Sequence, residues 1–229
     1  MVKGKLFGIG VGPGDPELLT LKAIKVMRKC EVIALPSVDN KEKTAFSVVK
    51  DHLNGKKLIE CRFSMENDIE KRKKSRIISA DTIISLLEGG KNVGFITLGD
   101  PTVYSTYMYL HKIIVSNGFI AEIIPGVTSF TAAAASLGIS LCEGDETLLI
   151  IPSGNGESND KLLDYPGNKV IMKSGENLTH ILEKLKKRGY GNRTKVAFCV
   201  GMDDQQLYYD INDYERIAKG GYFNVVIVK

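Results

Sequence analysis

Two glycine-rich turns, each placed directly after a short apolar run, constrain this chain more than any other feature. Gly8-Ile9-Gly10-Val11-Gly12-Pro13-Gly14-Asp15-Pro16 closes the run that begins at Lys5, and Gly99-Asp100-Pro101-Thr102-Val103-Tyr104 closes the run at residues 93–98. An unbroken apolar run of this length fits a strand buried on both faces. Glycine accepts positive φ and lets one backbone approach another, or a ligand, closely. The two turns therefore predict a sheet whose strand ends carry loops shaped for contact.

The rest of the first half agrees with a parallel sheet. Strand-like segments at residues 5–11, 31–35, 57–61, 93–98 and 121–124 are separated by helical ones at about 20–28, 44–53, 67–87 and 103–115. Asp15 or Thr20 can cap the first helix, with Pro16 tolerated in its first turn. Ile69, Ile77, Ala80, Ile84 and Leu87 recur at spacings that bury one helical face. Strands alternating with helices imply parallel pairing through crossovers. The second half reads differently: an alanine-rich helix at 129–137, strands at 147–151, 169–172 and 194–200, and a helix at 178–188. Two final runs, 206–211 and 222–228, are expected to pair antiparallel, giving a mixed sheet. The polar stretch 153–160 reads as a surface loop.

Composition enters mainly to exclude. With 229 residues the chain suits one large domain or two modest ones, and 43% hydrophobic with 25% charged residues is ordinary for a globular protein. A net charge of +4 permits an anionic small molecule but lacks the basic footprint of a nucleic-acid binder. Cys30, Cys61, Cys142 and Cys199 form no CxxC pair, so neither a zinc site nor a disulfide framework is expected, and no metal site is predicted. Cys30 and Cys199 sit in or beside apolar runs and read as buried, inert thiols. No segment reaches the ~18 apolar residues of a membrane span, and the first residues show no signal-peptide core. A cytoplasmic protein is the expectation.

The common nucleotide signatures fail. In G-x-G-x-x-G, the third glycine falls on Pro13 or Asp15, depending on the register. A P-loop fails because Asn92 follows Gly90-Lys91 and Ser85 stands at the first glycine. Taken alone, the first turn could be plain strand-to-helix punctuation, and Asp100 could be a cap for the helix after it. A third element, Pro125-Gly126-Val127-Thr128-Ser129-Phe130, again follows a strand and opens a helix. Three such loops on one sheet favour a shared site over three independent turns. No histidine lies in any of them, so no general base is evident. His52, His111 and His180 fall on helices among polar residues. The run Lys71-Arg72-Lys73-Lys74 points in nearly all directions around a helix and reads as a solvated face.

These residues resemble the tetrapyrrole (corrin and porphyrin) methylases. The resemblance is carried by Val11-Gly12-Pro13-Gly14-Asp15-Pro16-Glu17-Leu18-Leu19-Thr20, then Gly99-Asp100-Pro101, then Pro125-Gly126-Val127-Thr128-Ser129, in the family's order, and it runs from Lys5 to the C-terminus. Within the family, residues 98–107, Phe130 and residues 148–152 resemble the branch that methylates C20 of precorrin-2 or cobalt-factor II in cobalamin biosynthesis. The resemblance implies two unlike α/β domains, residues 1–124 and 125–229, with S-adenosylmethionine as methyl donor in a cleft between them. It implies donor contacts at Pro13, Gly99, Asp100, Val103, Tyr104, Thr128, Ser129 and Phe130, and at Lys173 and Gly201 from the second domain. Lys173 departs from relatives acting on uroporphyrinogen, which carry methionine there.

For the acceptor, a polycarboxylate ring, Arg62 (in a loop after the strand at 57–61) and Tyr107 are the expected contacts. The family also implies a homodimer. No nucleic acid or membrane partner is expected. Two other functions compete with this reading: methylation of ribosomal RNA ribose by a family relative, and a non-catalytic module that senses the donor.

Overall fold

Of the strands expected in the first half, those at 5–11 and 93–98 are buried on both sides, whereas those at 57–61 and 121–124 carry charged residues. The structure, a computed structural model, describes residues 2–38, 44–64, 68–153, 157–217 and 223–229. It divides into two compact units, Met1–Thr128 and Ser129–Lys229.

In the first unit the order is β1 (Leu6–Gly10), α1 (Leu21–Lys29), β2 (Val32–Val38), α2 (Thr44–Val49), β3 (Lys57–Phe63), α3 (Ile69–Glu88), β4 (Val93–Thr97), α4 (Tyr107–Ser116) and β5 (Ala121–Ile124). The strands form one sheet in the order β3-β2-β4-β1-β5, and every pairing is parallel. Strand alternation sends neighbouring side chains to opposite faces. Leu6, Val93 and Phe95 join Ala80, Ile83 and Leu87 of α3 and Tyr107, Leu110 and Ile114 of α4 on one face. Phe7, Ile9 and Ile96 join Ala23 and Met27 of α1 and Val48 and Val49 of α2 on the other. β1 and β4 are buried at all positions because helices cover both faces.

Local signals set the ends of these elements. Asp15 caps a short 3-10 turn by accepting from the Glu17 amide at 2.8 Å, and Thr20 caps α1 by accepting from Ala23 at 3.0 Å. Asp68 caps α3 through the Glu70 and Lys71 amides; Asn67, where that helix was expected to start, lies outside the described residues. β2 runs through Pro36, three residues beyond expectation. This is tolerated because its ladder with β4 covers only Val32 to Ala34. The helix expected from Val103 begins at Tyr107 instead, since residues 101–104 form a turn.

The second unit contains α5 (Ser129–Ser136), β6 (Leu148–Pro152), α6 (Glu157–Leu163), β7 (Asn168–Met172), α7 (Leu178–Lys187), β8 (Thr194–Phe198), β9 (Gln206–Tyr208), α8 (Tyr214–Ile217) and β10 (Asn224–Val228). Its sheet has the order β6-β7-β10-β8-β9. It is mixed: β6 and β7 are parallel, and β10 runs antiparallel to both β7 and β8. The expected pairing of the last two runs is corrected here. β9 pairs with β8, while β10 is inserted between β7 and β8. β10 is buried along its whole length, so it takes the centre, and the partly exposed β9 takes the edge. Tyr222, the expected start of that last strand, lies outside the described residues. The polar stretch expected as a loop becomes helical from Glu157 onward, and residues 154–156 lie outside the described residues. Leu178, Ile181, Leu182 and Leu185 of α7 close the core against Ile171, Val196, Phe198 and Val226.

Candidate functional site

Because β4, β1 and β5 are adjacent and parallel, their carboxyl ends deliver three loops to one edge of the first sheet. These are the three loops singled out in the sequence. Gly12 and Gly99 form an antiparallel bridge, with the Gly99 amide donating to the Gly12 carbonyl at 2.7 Å and the Gly12 amide donating back at 3.3 Å. Both have positive φ, 79° and 71°, which favours glycine. The third loop is equally close. A Cβ on Gly126 would lie 2.3 Å from the Gly99 carbonyl oxygen, and one on Gly10 would lie 2.6 Å from the Gly126 nitrogen. Gly10, Gly99 and Gly126 are glycine because three backbones meet there.

Asp100 locks the junction. It is 8% exposed. Its Oδ1 accepts from the Thr102 amide at 2.8 Å and from the Thr102 hydroxyl, and its Oδ2 accepts from the Gly126 amide at 2.9 Å. The loop continues under restraint: Thr97 and Ser105 hydroxyls bond at 3.0 Å, and Ser105 Oγ accepts from the Tyr107 amide. Tyr104, between these restraints, has φ 48° and is 38% exposed. An aromatic residue in the left-handed region is a strained outlier that its surroundings must enforce. Burial also pushes its phenol above the ordinary tyrosine value.

Of the expected site residues, the first unit brings Gly99 and Asp100 into this junction. Pro13 is buried beside Gly12, and Val103 and Thr128 are half-buried in the loops that meet it. In the second unit Ser129 and the buried Phe130 open α5. Lys173 and Gly201 follow β7 and β8, both with positive φ, 59° and 77°. Gly201 donates to Gln205 Oε1 at 3.0 Å.

Two expectations are corrected. Tyr107 does not line a ligand surface: it is 0% exposed, under the sheet. A Cβ on Gly8 would come 2.1 Å from its Cζ, so the missing side chain of Gly8 houses the ring. The Tyr107 hydroxyl donates to the Glu122 carbonyl at 3.2 Å and lies 3.1 Å from His111 Nδ1; burial drives its pKa up. Arg62 lies within β3, the edge strand, rather than in a following loop, and is exposed with Glu60 at 4.0 Å. Cys30 is buried as expected, with its thiol pushed up to about 12 by burial, whereas Cys199 is half-buried with φ 48°.

Sequence reasoning missed the strained positions. Among the described residues, the non-glycine residues at positive φ are Tyr104, Lys173 and Cys199, and each follows the carboxyl end of a strand. Nothing in their residue types signals this, since all three rarely adopt that region. The junction glycines did carry a signal, because glycine recurs where the chain leaves each strand.

The three loops contain Asp15 and Asp100 but no lysine, arginine or histidine. The polar surface these loops offer is therefore backbone amides and carbonyls, with the Asp100 carboxylate engaged by Thr102 and Gly126.

Residues 5–211 match the family model for Tetrapyrrole (Corrin/Porphyrin) Methylases. The chain is 36% identical over 223 residues to a probable cobalt-precorrin-2 C(20)-methyltransferase of Methanocaldococcus jannaschii, covering 93% of this chain and 94% of that one. It is 33% identical over 232 residues to a precorrin-2 C(20)-methyltransferase of a Sinorhizobium species, covering 91% and 94%. Its fold matches that of the uroporphyrin-III C-methyltransferase of Thermus thermophilus, solved with S-adenyl homocysteine, with a TM-score of 0.71 at 19% identity over 99% of this chain and 98% of that one. The chain belongs to the tetrapyrrole (corrin/porphyrin) methylase family.

Proposed function

We propose that this chain is an S-adenosylmethionine-dependent methyltransferase acting at C20 of cobalt-factor II or precorrin-2 in cobalamin biosynthesis. The observation that carries the chemistry is the three-loop junction, a restrained backbone edge with a buried carboxylate and no cation. The relatives' names support the choice of ring carbon. When bound, the donor supplies an electrophilic methyl on a sulfonium, which is its own chemistry. The loops offer carbonyl oxygens for the positively charged groups of the donor and backbone amides for its carboxylate.

The residues that hold the donor in this reading are Pro13, Gly99, Asp100, Val103, Tyr104 and Thr128, with Ser129, Phe130, Lys173 and Gly201 from the second unit. Asp100 acts mainly by fixing the loops. Its oxygens are taken up by Thr102 and Gly126, so it sets the backbone that meets the donor. Fixing one reactant against another can lower a barrier by ~7–11 kcal/mol, and a rigid junction of this kind suits that task. Arg62 is kept as an acceptor contact. A homodimer in the cytoplasm belongs to the same reading and rests on the family resemblance. No helix among the described residues is long and apolar enough to cross a membrane.

The test is methyl transfer from labelled donor to cobalt-factor II, precorrin-2 and ribosomal RNA in turn, read by mass spectrometry. A mass gain of one methylene on a tetrapyrrole is expected. Transfer to RNA alone, or donor binding with no transfer, overturns the reading.

A further inference from the structure

We propose that Arg76 and Lys73 of α3, with Tyr109 of α4 under the Arg76 guanidinium, form a binding site for an acid side chain of the tetrapyrrole acceptor; this rests on the methyltransferase reading above.

Helical periodicity separates these two cations from the rest of the basic run in α3. Ala80, Ile83 and Leu87 pack with Tyr107, Leu110 and Ile114 of α4. Steps of three or four residues back from Ala80 lead to Arg76 and then to Lys73, which are neighbours on one helical side. The Arg76 guanidinium over the Tyr109 ring, 3.5 Å from its centre, marks that side as the one toward α4. Lys71 and Lys74 fall elsewhere around the helix.

The site lies at the end of the sheet that carries the loop junction. Both helices follow strands of the parallel sheet and cover the same face, so they run in the same direction. Arg76 is two turns into α3, but Tyr109 belongs to the first turn of α4. At 1.5 Å of rise per residue, α3 starts roughly 7 Å beyond α4. Lys73 is thus about level with the start of α4, where the 101–106 segment arrives from the junction. β3 holds α3 at this height: the Ser79 hydroxyl donates to the Arg62 carbonyl and the Ser64 amide to the Ser75 hydroxyl, each at 3.2 Å.

The chemistry of the pair points to a carboxylate. Arg76 is half-buried and Lys73 exposed, and among the described residues neither has a hydrogen-bond acceptor or an ion-pair partner. The ring attracts the guanidinium through its face and leaves the in-plane N–H fork for a ligand. A carboxylate accepts two bonds from such a fork and a further one from an ammonium one turn away. The acceptor carries several carboxylates around its rim, so one can reach this helix surface while the ring lies toward the loops.

Binding of uroporphyrin, an octacarboxylate tetrapyrrole followed by its own fluorescence, tests this without requiring turnover. R76M is expected to weaken uroporphyrin by about tenfold and K73M by about threefold. R76K should recover only part of the loss, because an ammonium lacks the fork, while Y109F, which keeps the ring, stays within about twofold of wild type. K112M removes an exposed lysine further along α4 and is expected to change nothing. Raising the salt from about 50 to about 300 mM should weaken wild type more than R76M, since a screened ion pair is lost only from wild type. Unchanged S-adenosylhomocysteine affinity in every variant, by calorimetry, shows that the fold and the donor site are intact.

R76M and K73M both binding uroporphyrin within about twofold of wild type, K112M losing as much as R76M, an equal loss on S-adenosylhomocysteine, or a wild type that binds no uroporphyrin overturns the site. A wild type that binds uroporphyrin through Arg76 but transfers no methyl overturns the enzymatic reading alone.

Discussion

Asp100 shows how one side chain can organise a site through the backbone. From the sequence it reads as a donor contact or a helix cap, and the geometry gives it a third task, joining the second loop to the third through the Gly126 amide. Replacing Asp100 by Ala leaves the amides of Gly126 and Thr102 without their acceptor. A loss of about 3 kcal/mol of unfolding free energy is expected, together with about tenfold weaker binding of S-adenosylhomocysteine. Denaturant unfolding and calorimetry check the two effects, and unchanged stability with weakened binding would instead make Asp100 a direct contact. Tyr107 teaches the converse. Its position just beyond the loop suggests a ligand-lining ring, but a glycine in the middle of β1 leaves space under the sheet that the ring fills. A sequence pattern places residues along an element; it does not say which glycine elsewhere has made room for them.

At the scale of elements, the parallel sheet was legible because its central strands β1 and β4 are continuous apolar runs and strand-like segments alternate with periodic helices. Its loops were legible because glycine recurs at the strand ends. The second sheet was less so. Short runs such as 206–211 do not specify a partner, and the buried character of β10, which settles the order, depends on α5 and α7 covering it. The amino end of this sheet carries an ionic fastening that no motif announces. Glu146 Oε2 accepts from Lys229 Nζ at 2.6 Å, from Asn168 Nδ2 at 2.9 Å and from the Glu143 amide at 2.9 Å. The Lys229 bond chiefly, then Asn168 and the Glu143 amide, hold its carboxyl at about 2 against an ordinary 4.5. A carboxylate whose folded pKa is depressed stabilises fully above its unfolded value and loses that contribution as pH falls through the folded one. Glu146→Gln is therefore expected to flatten part of the fall in stability between about pH 4.5 and pH 2, measured as urea midpoint against pH. Parallel curves for variant and wild type in that window would contradict the fastening.

For the whole molecule, family membership and a mild net charge of +4 favour a small donor and a soluble anionic acceptor over a nucleic acid. The fold alone does not choose a ring carbon, since tetrapyrrole methylases share their architecture across different products. The central claim is therefore tested by where the methyl goes. The chain is incubated with 13C-methyl-labelled S-adenosylmethionine and cobalt-factor II, in parallel with precorrin-2, and the product is read by carbon NMR. A single labelled methyl on the bridging carbon C20 is predicted. A label on any other ring position, or none on either acceptor, would contradict it.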